Sequence, residues 1–290
     1  GYFEYFRFCE DIGAEPVPVL AAGVPCQNSS TCSHHSKGEL GCGGQQGGIP
    51  MEEMDAYVQD VLDLIEYANG DAKKTEWGRK RAEAGHPKPF GLKYIGIGNE
   101  DLITDVFEER FTMIYNAVRA KYPDITVIGT VGPFYEGTDY DEGWKLASKL
   151  DIPMVDEHYY VAPGWLIHNQ DYYDRYDRSK SKVYLGEYAA HLPGRPNNIE
   201  TALAEALYLT GVERNADVVT MTSYAPLLAK DGHTQWHPDL IYFNNTEVKP
   251  TVSYYTQQMY GQNAGDEYIT STVQLNNWQD GVKKRVGVSV

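Results

Sequence analysis

The chain has no long hydrophobic run and little positive charge, and each shortage excludes a class of protein. None of its 290 residues belongs to an uninterrupted apolar stretch of about 18 residues, the length that a membrane-spanning helix needs. Acidic residues outnumber basic ones by 41 to 25, which gives a formal net charge of −16. This charge argues against nucleic acid or an anionic membrane surface as a partner and is compatible with a neutral ligand such as a sugar.

Cysteine is also scarce, and the four cysteines do not form a standard metal pattern. Cys26, Cys32 and Cys42 share a stretch rich in Gly, Ser and Gln with His34 and His35. No C-x-x-C pair occurs among them, so we predict no metal site. A local disulfide from Cys26 to Cys32 or to Cys42 stays open as an alternative to free thiols in a long loop.

Apolar, β-branched runs alternate with amphipathic helical patterns at intervals of about 30 residues, which predicts parallel βαβ units. No Gly-rich phosphate loop follows any of these runs, which favours an eight-stranded barrel over a nucleotide-binding sheet. We predict an α/β fold, a TIM-type (β/α)8 barrel lacking its first two strands. The predicted strands cover residues 15–21, 92–97, 125–129, 154–160, 182–185 and 218–224, and the predicted helices cover 50–70, 143–150, 199–214 and 250–259, with one more beginning at Thr104.

The two ends of the chain differ from this repeat. Residues 1–262 are predicted to form the partial barrel, with strands three to eight, and residues 263–290 the beginning of an all-β domain. Within the latter, segments 268–273 and 285–290 have strand patterns. Gly1 takes the place of an initiator Met, and residues 2–9 have the pattern of a helix already under way, so we expect a fragment without a visible targeting segment.

Two glutamates follow apolar runs in the same way. Glu100 ends the segment Gly98-Asn99-Glu100, and Glu187 lies in Leu185-Gly186-Glu187-Tyr188. The carboxyl ends of parallel strands meet at one edge of a barrel, where active sites are found. A facing pair of carboxylates is what glycosidic bond cleavage requires, one to protonate the leaving oxygen and one to act at the sugar carbon.

With these segments in order, the chain resembles the α-L-arabinofuranosidases of glycoside hydrolase family 51, in the plant-like and Bacteroides-like branch. Gly98-Asn99-Glu100 is similar to the acid/base motif after the fourth barrel strand, and Leu185-Gly186-Glu187-Tyr188 to the nucleophile motif after the seventh. The segments at 156–160 and 223–228 fit the sixth and eighth strands of the barrel. The segments at 9–16 and 236–241 narrow the match from the wider group of barrel glycosidases to this family.

The resemblance implies a role for each site residue. Glu187 is expected to be the nucleophile and Glu100 the general acid and then base. Asn99 is expected to bind the hydroxyl next to the reacting carbon, and Tyr160 to orient the nucleophile. His158 and Trp236 are expected to line the substrate pocket. Glu157, directly before His158, should point to the opposite side of its strand and is not counted as catalytic.

The resemblance also implies a retaining double displacement that releases arabinofuranosyl residues from arabinose-containing plant polysaccharides or oligosaccharides. No metal or organic cofactor is needed, a homo-oligomer is possible, and a periplasmic or secreted location is expected. Unlike the family, the chain lacks the first two barrel strands and most of the accessory β-sandwich. We therefore expect weak or no activity from this segment alone. The alternatives are another retaining barrel glycosidase, such as a xylanase or endoglucanase, and a non-catalytic carbohydrate-binding barrel remnant.

Overall fold

The computed structural model describes residues 1–26 and 48–290. Contacts divide the chain into two compact units, Gly1–Asp156 and Glu157–Val290. The hypotheses on Cys32, Cys42, His34 and His35 fall outside the described residues, so the disulfide alternative stays a prediction. No helix in the described ranges is long and apolar enough to cross a membrane.

The first unit alternates helices with parallel strands, as the sequence predicts. Its strands pair in parallel in chain order, β1 with β2, β2 with β3 and β3 with β4. The elements are α1 (Tyr2–Ile12), β1 (Val19–Leu20), α2 (Met51–Asn69), α3 (Glu76–Glu83), β2 (Tyr94–Ile97), α4 (Asp105–Lys121), β3 (Thr126–Thr130), α5 (Thr138–Leu150) and the beginning of β4 (Met154–Val161).

Helix α4 forms where the sequence predicts it. The hydroxyl oxygen of Thr104 accepts a hydrogen bond from the backbone N–H of Phe107 at 3.3 Å, which satisfies one of the free donors of the first turn. Its apolar face is buried, with Phe107, Phe111, Ile114 and Val118 all within 1% of full burial. This face fixes α4 against the unit's core, directly after the segment that carries Glu100.

The polar insertion between α2 and β2 contains α3, which the sequence analysis did not predict. Arg81 on this helix is fully buried, and its guanidinium donates to the carbonyl oxygens of Tyr67, Gly70, His86 and Pro87 at 2.7–3.2 Å. Polar contacts hold this helix: besides Arg81, the Thr75 hydroxyl accepts the Gly78 N–H and the Glu66 carboxylate accepts the Trp77 N–H. Such contacts leave no hydrophobic periodicity to read.

The second unit continues the parallel pattern from the end of β4 through β5 and β6, which follow in that order. A separate small sheet pairs β7 with β8 in parallel and β8 with β9 in antiparallel. The elements after β4 are α6 (Pro163–His168), a 3₁₀ helix (Tyr172–Arg175), β5 (Lys182–Ala190), α7 (Ile199–Arg214), β6 (Val219–Tyr224), β7 (Leu228–Lys230), β8 (Ile241–Phe243), β9 (Val248–Pro250), α8 (Val252–Gln262) and α9 (Asp280–Lys283).

The strands predicted at 268–273 and 285–290 do not form. These described segments contain no strand, and one backbone hydrogen bond, from Ile269 N–H to the Val290 carbonyl oxygen at 2.6 Å, joins them. An isolated pair of short segments has too few partners to form a stable sheet. The assignment of 263–290 to an all-β domain stays a prediction.

Candidate active site

Glu100 lies in a tight turn directly after β2. Gly98 and Glu100 both have positive φ, 85° and 53°. The left-handed conformation is unfavourable for Glu, so the turn needs external contacts to hold it. Two hydrogen bonds help to hold the turn: within it, Asn99 N–H donates to Asp101 Oδ2 at 3.0 Å, and from outside, Thr130 Oγ1 accepts the Glu100 N–H at 3.1 Å.

The turn leaves no room for a side chain at its first position. A Cβ on Gly98 would lie 2.5 Å from Asp101 Oδ2 and 2.6 Å from Thr130 Cγ2. Both are below any normal contact distance, and the positive φ adds strain. Gly98 is thus required for both its conformation and its size.

Glu100 and Asp101 are both buried, at 8% and 1% exposure. Burial raises the pKa of Asp101 to about 7, the Asn99 N–H opposes that shift, and the charge of Glu100 adds to it. Asp101 was missed in the sequence analysis, because an acid beside a motif has no distinguishing pattern of its own. Asn99 lies at the same turn, with its Nδ2 donating to Cys26 Sγ at 3.1 Å.

Glu187 lies on β5 in the second unit, at an irregularity in its pairing with β6. Leu185 pairs with Thr222 and Tyr188 with Tyr224, so β5 has one residue more than β6 across this step. Such a bulge bends a strand and redirects a side chain, and bulges are common beside active sites. The side chain of Glu187 is 32% exposed, so it is open to a ligand.

Two side chains of β4 contact the Glu187 carboxylate. Tyr160 Oη donates to Glu187 Oε2 at 2.6 Å, and His158 Nδ1 lies 3.7 Å from the same oxygen. A short hydrogen bond from a hydroxyl stabilises a carboxylate in its charged form, which is the form that attacks a carbon atom. The contacts predicted for Tyr160 are present, while its role in catalysis stays a prediction.

Glu157 points elsewhere, as expected from strand alternation. Its carboxylate accepts hydrogen bonds from the hydroxyls of Tyr173 at 2.9 Å and Tyr176 at 2.7 Å. The neighbouring residues His158 and Tyr160 contact Glu187 instead. Glu157 therefore serves a buried tyrosine cluster and not the carboxylate of β5.

Trp236 lies beside Tyr160, with ring centroids 5.6 Å apart. The Arg195 guanidinium lies 4.1 Å from the Trp236 ring centroid, a cation–π contact that covers part of the indole. His191 stacks on Tyr160 with ring centroids 4.9 Å apart and an interplanar angle of 13°. His191 and Arg195 were missed in the sequence analysis, since neither belongs to a motif.

His158 and Glu187 are also residue types that can ligate a metal ion. Oε2 of Glu187, the atom closest to His158, already accepts the hydrogen bond from Tyr160. A cation on that oxygen would compete with the hydroxyl proton. The other carboxylate oxygen, Oε1, is not involved in these contacts, so the expectation that no metal or cofactor is needed stays a prediction.

Solved structures with a similar fold place the chain in a class. An arabinose-bound GH51 α-L-arabinofuranosidase superposes with a TM-score of 0.76 at 30% identity, over 95% of this chain and 42% of that one. An α-L-arabinofuranosidase from Thermotoga maritima in complex with arabinose has a TM-score of 0.61 at 17% identity, over 93% of this chain and 54% of that one, a likeness of fold. The class is that of α/β chains with the barrel-type fold of family 51 glycoside hydrolases, which confirms the predicted fold class.

Sequence comparisons identify the family to which the chain belongs. Residues 1–178 match the "Alpha-L-arabinofuranosidase 1 domain" model, and residues 172–285 match the "Alpha-L-arabinofuranosidase C-terminal domain" model. The chain belongs to the α-L-arabinofuranosidase family. It is 45% identical to an extracellular exo-α-L-arabinofuranosidase of Streptomyces chartreusis and 33% identical to α-L-arabinofuranosidase 2 of Arabidopsis thaliana. These matches cover 93% and 94% of this chain but only 30% and 36% of the relatives, so the chain spans about a third of their length.

Proposed function

We propose that this chain carries the catalytic residues of a retaining glycoside hydrolase that releases α-L-arabinofuranosyl residues from the non-reducing ends of plant polysaccharides or oligosaccharides. The observation that supports it most is the 2.6 Å hydrogen bond from Tyr160 Oη to Glu187 Oε2, which holds a partly exposed carboxylate in its charged form for nucleophilic attack. The exo-acting, extracellular relative of Streptomyces chartreusis supports exo action and an extracytoplasmic location.

In the proposed reaction, Glu187 attacks the anomeric carbon while Glu100 donates its proton to the departing glycosidic oxygen. This gives a covalent arabinofuranosyl ester on Glu187. Glu100 then removes a proton from water, whose oxygen attacks the same carbon and frees Glu187. Retention requires carboxyl groups about 5 Å apart, against about 6.5–9.5 Å for inversion. We therefore propose that Glu100 and Glu187 face one sugar ring.

The remaining predicted site residues have supporting roles in this proposal. Asn99 binds the hydroxyl next to the anomeric carbon, and His158 lines the pocket beside Glu187. Trp236 contacts the substrate through the part of its indole that Arg195 leaves uncovered, since this side chain is 37% exposed.

The test uses the full-length natural protein that contains these residues, with an unactivated α-L-arabinofuranosyl oligosaccharide as substrate. Glu100→Ala and Glu187→Ala should each lower turnover at least about a hundredfold, because acid–base and nucleophilic groups contribute that much or more. Glu200→Gln, an exposed change in the first turn of α7, is the matched control and should leave turnover unchanged. Normal activity in both alanine variants would contradict the proposal.

Two further measurements sharpen it. NMR of the first sugar released should show the same anomer as the substrate, and inversion would exclude the covalent step. A panel of aryl arabinofuranosides, xylosides and glucosides should show a preference for arabinofuranosides. A preference for xylosides would instead favour the xylanase alternative.

A further inference from the structure

The orientation of the Tyr160 phenol ring depends on the side chains that pack against it. The Tyr160 side chain can rotate, and the 2.6 Å distance from its hydroxyl to Glu187 Oε2 survives only if the ring keeps one orientation. Two rings contact it: His191 lies parallel at 4.9 Å and Trp236 lies inclined by 54° at 5.6 Å. We call His191, Trp236 and Arg195 the Tyr160 brace.

His191 is attached to the strand that carries Tyr160. Its backbone N–H donates to the carbonyl oxygen of Val161, the residue after Tyr160, at 2.8 Å. This bond fixes the distance between the two backbones at the position where the rings stack. The His191 ring is therefore held by the main chain as well as by its stacking contact.

The imidazole of His191 acts here as a flat, uncharged ring. Its Nε2 is buried without a hydrogen-bond partner among the residues that the structure describes. Burial lowers the pKa of His191 to about 4, and the nearby Arg195 and His237 shift it in the same direction. A neutral ring can pack beside Tyr160 without placing a positive charge near Glu187.

Arg195 packs on Trp236, the second ring that contacts Tyr160. Its guanidinium lies 4.1 Å from the centroid of Trp236, and its backbone has a positive φ of 51° with its N–H donating to the Leu192 carbonyl oxygen at 2.8 Å. A cation over an indole face is among the stronger aromatic contacts. The turn thus fixes Arg195, and Arg195 in turn fixes Trp236 beside Tyr160.

We infer that His191 is a positioning residue, which together with Trp236 and Arg195 holds the Tyr160 hydroxyl against the nucleophilic carboxylate of Glu187. The inference rests on the proposed function, since it assigns the brace to the same nucleophile. In this inference His191 influences the reaction only through its contact with Tyr160.

A double-mutant cycle between His191 and Tyr160 tests this. His191→Ala should lower kcat/KM about tenfold, the size of one aromatic packing contact. In a Tyr160→Phe background, which has no hydroxyl to aim, the same change should have little further effect. His191→Phe keeps a flat ring and should restore activity to within about threefold of the parent. His168→Ala, an exposed histidine at the end of α6, is the matched control.

The leaving group separates an effect on the nucleophile Glu187 from an effect on the proton donor Glu100. An activated aryl arabinofuranoside needs no proton from Glu100, so Glu100→Ala should lose less activity on it than on an unactivated glycoside. His191→Ala should lose the same factor on both, because it weakens the nucleophile in either case. A full tenfold loss from His191→Ala in the Tyr160→Phe background would overturn the inference.

A crystal structure of the His191→Ala variant distinguishes failure of the inference from failure of the proposed function. We expect the distance from Tyr160 Oη to Glu187 Oε2 to lengthen beyond hydrogen-bond range. An unchanged distance sinks the inference, whatever the activity. An inactive parent enzyme with a lengthened distance in the variant would sink the proposed function and leave the brace in place.

Discussion

The surroundings of Glu100 and of Glu187 differ in how each carboxylate is held. Glu100 is buried in a left-handed turn, and main-chain N–H groups donate the hydrogen bonds that hold that turn. Glu187 lies on a bulged strand, and a side chain, Tyr160, bonds its carboxylate directly. One acid is thus positioned through its backbone and the other through its side chain, so substitutions should damage the two in different ways.

The largest effect should come from the backbone of the Glu100 turn. Gly98→Ala should lower the free energy of unfolding by about 4 kcal/mol, because a new methyl group would overlap Asp101 and Thr130 in a left-handed conformation. Urea denaturation measures it. Gly13→Ala is the matched control in the same unit, with φ of 69° and nothing within 4 Å of the added atom, and should cost about 1 kcal/mol. Equal losses in both variants would show that crowding at Gly98 has no effect.

The next largest change in stability should come from Glu205, a buried acid that is hydrogen-bonded to the end of β5. Glu205 is fully buried, and its Oε1 accepts the N–H of Ala190, the last residue of the strand that carries Glu187. Burial raises the pKa of Glu205 from 4.5 to about 7, so the folded state prefers the protonated form. The stability it contributes is fully present below about pH 4.5 and is lost as pH rises through about 7, at most about 3 kcal/mol.

Glu205→Gln should remove most of this pH dependence, because glutamine keeps an oxygen for the Ala190 N–H and does not ionise. Unfolding free energies at pH 5 and pH 8 measure it, with Glu200→Gln as the exposed control. If the variant and the parent lose the same stability between these pH values, the dependence comes from other groups, such as Asp101.

The smallest effect should come from one hydrogen bond in the Glu100 turn. Thr130→Val removes the acceptor for Glu100 N–H and should cost about 1.5 kcal/mol of stability, since a buried donor is left unpaired. Thr130→Ser keeps the hydroxyl and should cost less. Activity should fall with stability in the valine variant, since the backbone holds Glu100. Full activity in that variant would mean that the comparison with Glu187 is wrong.

Sequence reasoning recovered the parallel strands and the ends where the two glutamates lie, because buried parallel strands are apolar runs of a recognisable kind. Helix α7 begins and ends where predicted, since the Asn198 side chain caps it at one end. The β5 bulge at Glu187 and the stacking of His191 on Tyr160 were not predictable. Both arise from contacts between residues far apart in sequence, which no local pattern records.

The fully buried Arg81 has a consequence for anyone who modifies this protein. Because one guanidinium binds four carbonyl oxygens, much of what holds the insertion around α3 lies on its buried side. The exposed positions of that helix can therefore accept labels, surface attachments or new charges. Exchanging Arg81 for lysine would instead leave several buried carbonyl groups without a donor and should loosen this insertion.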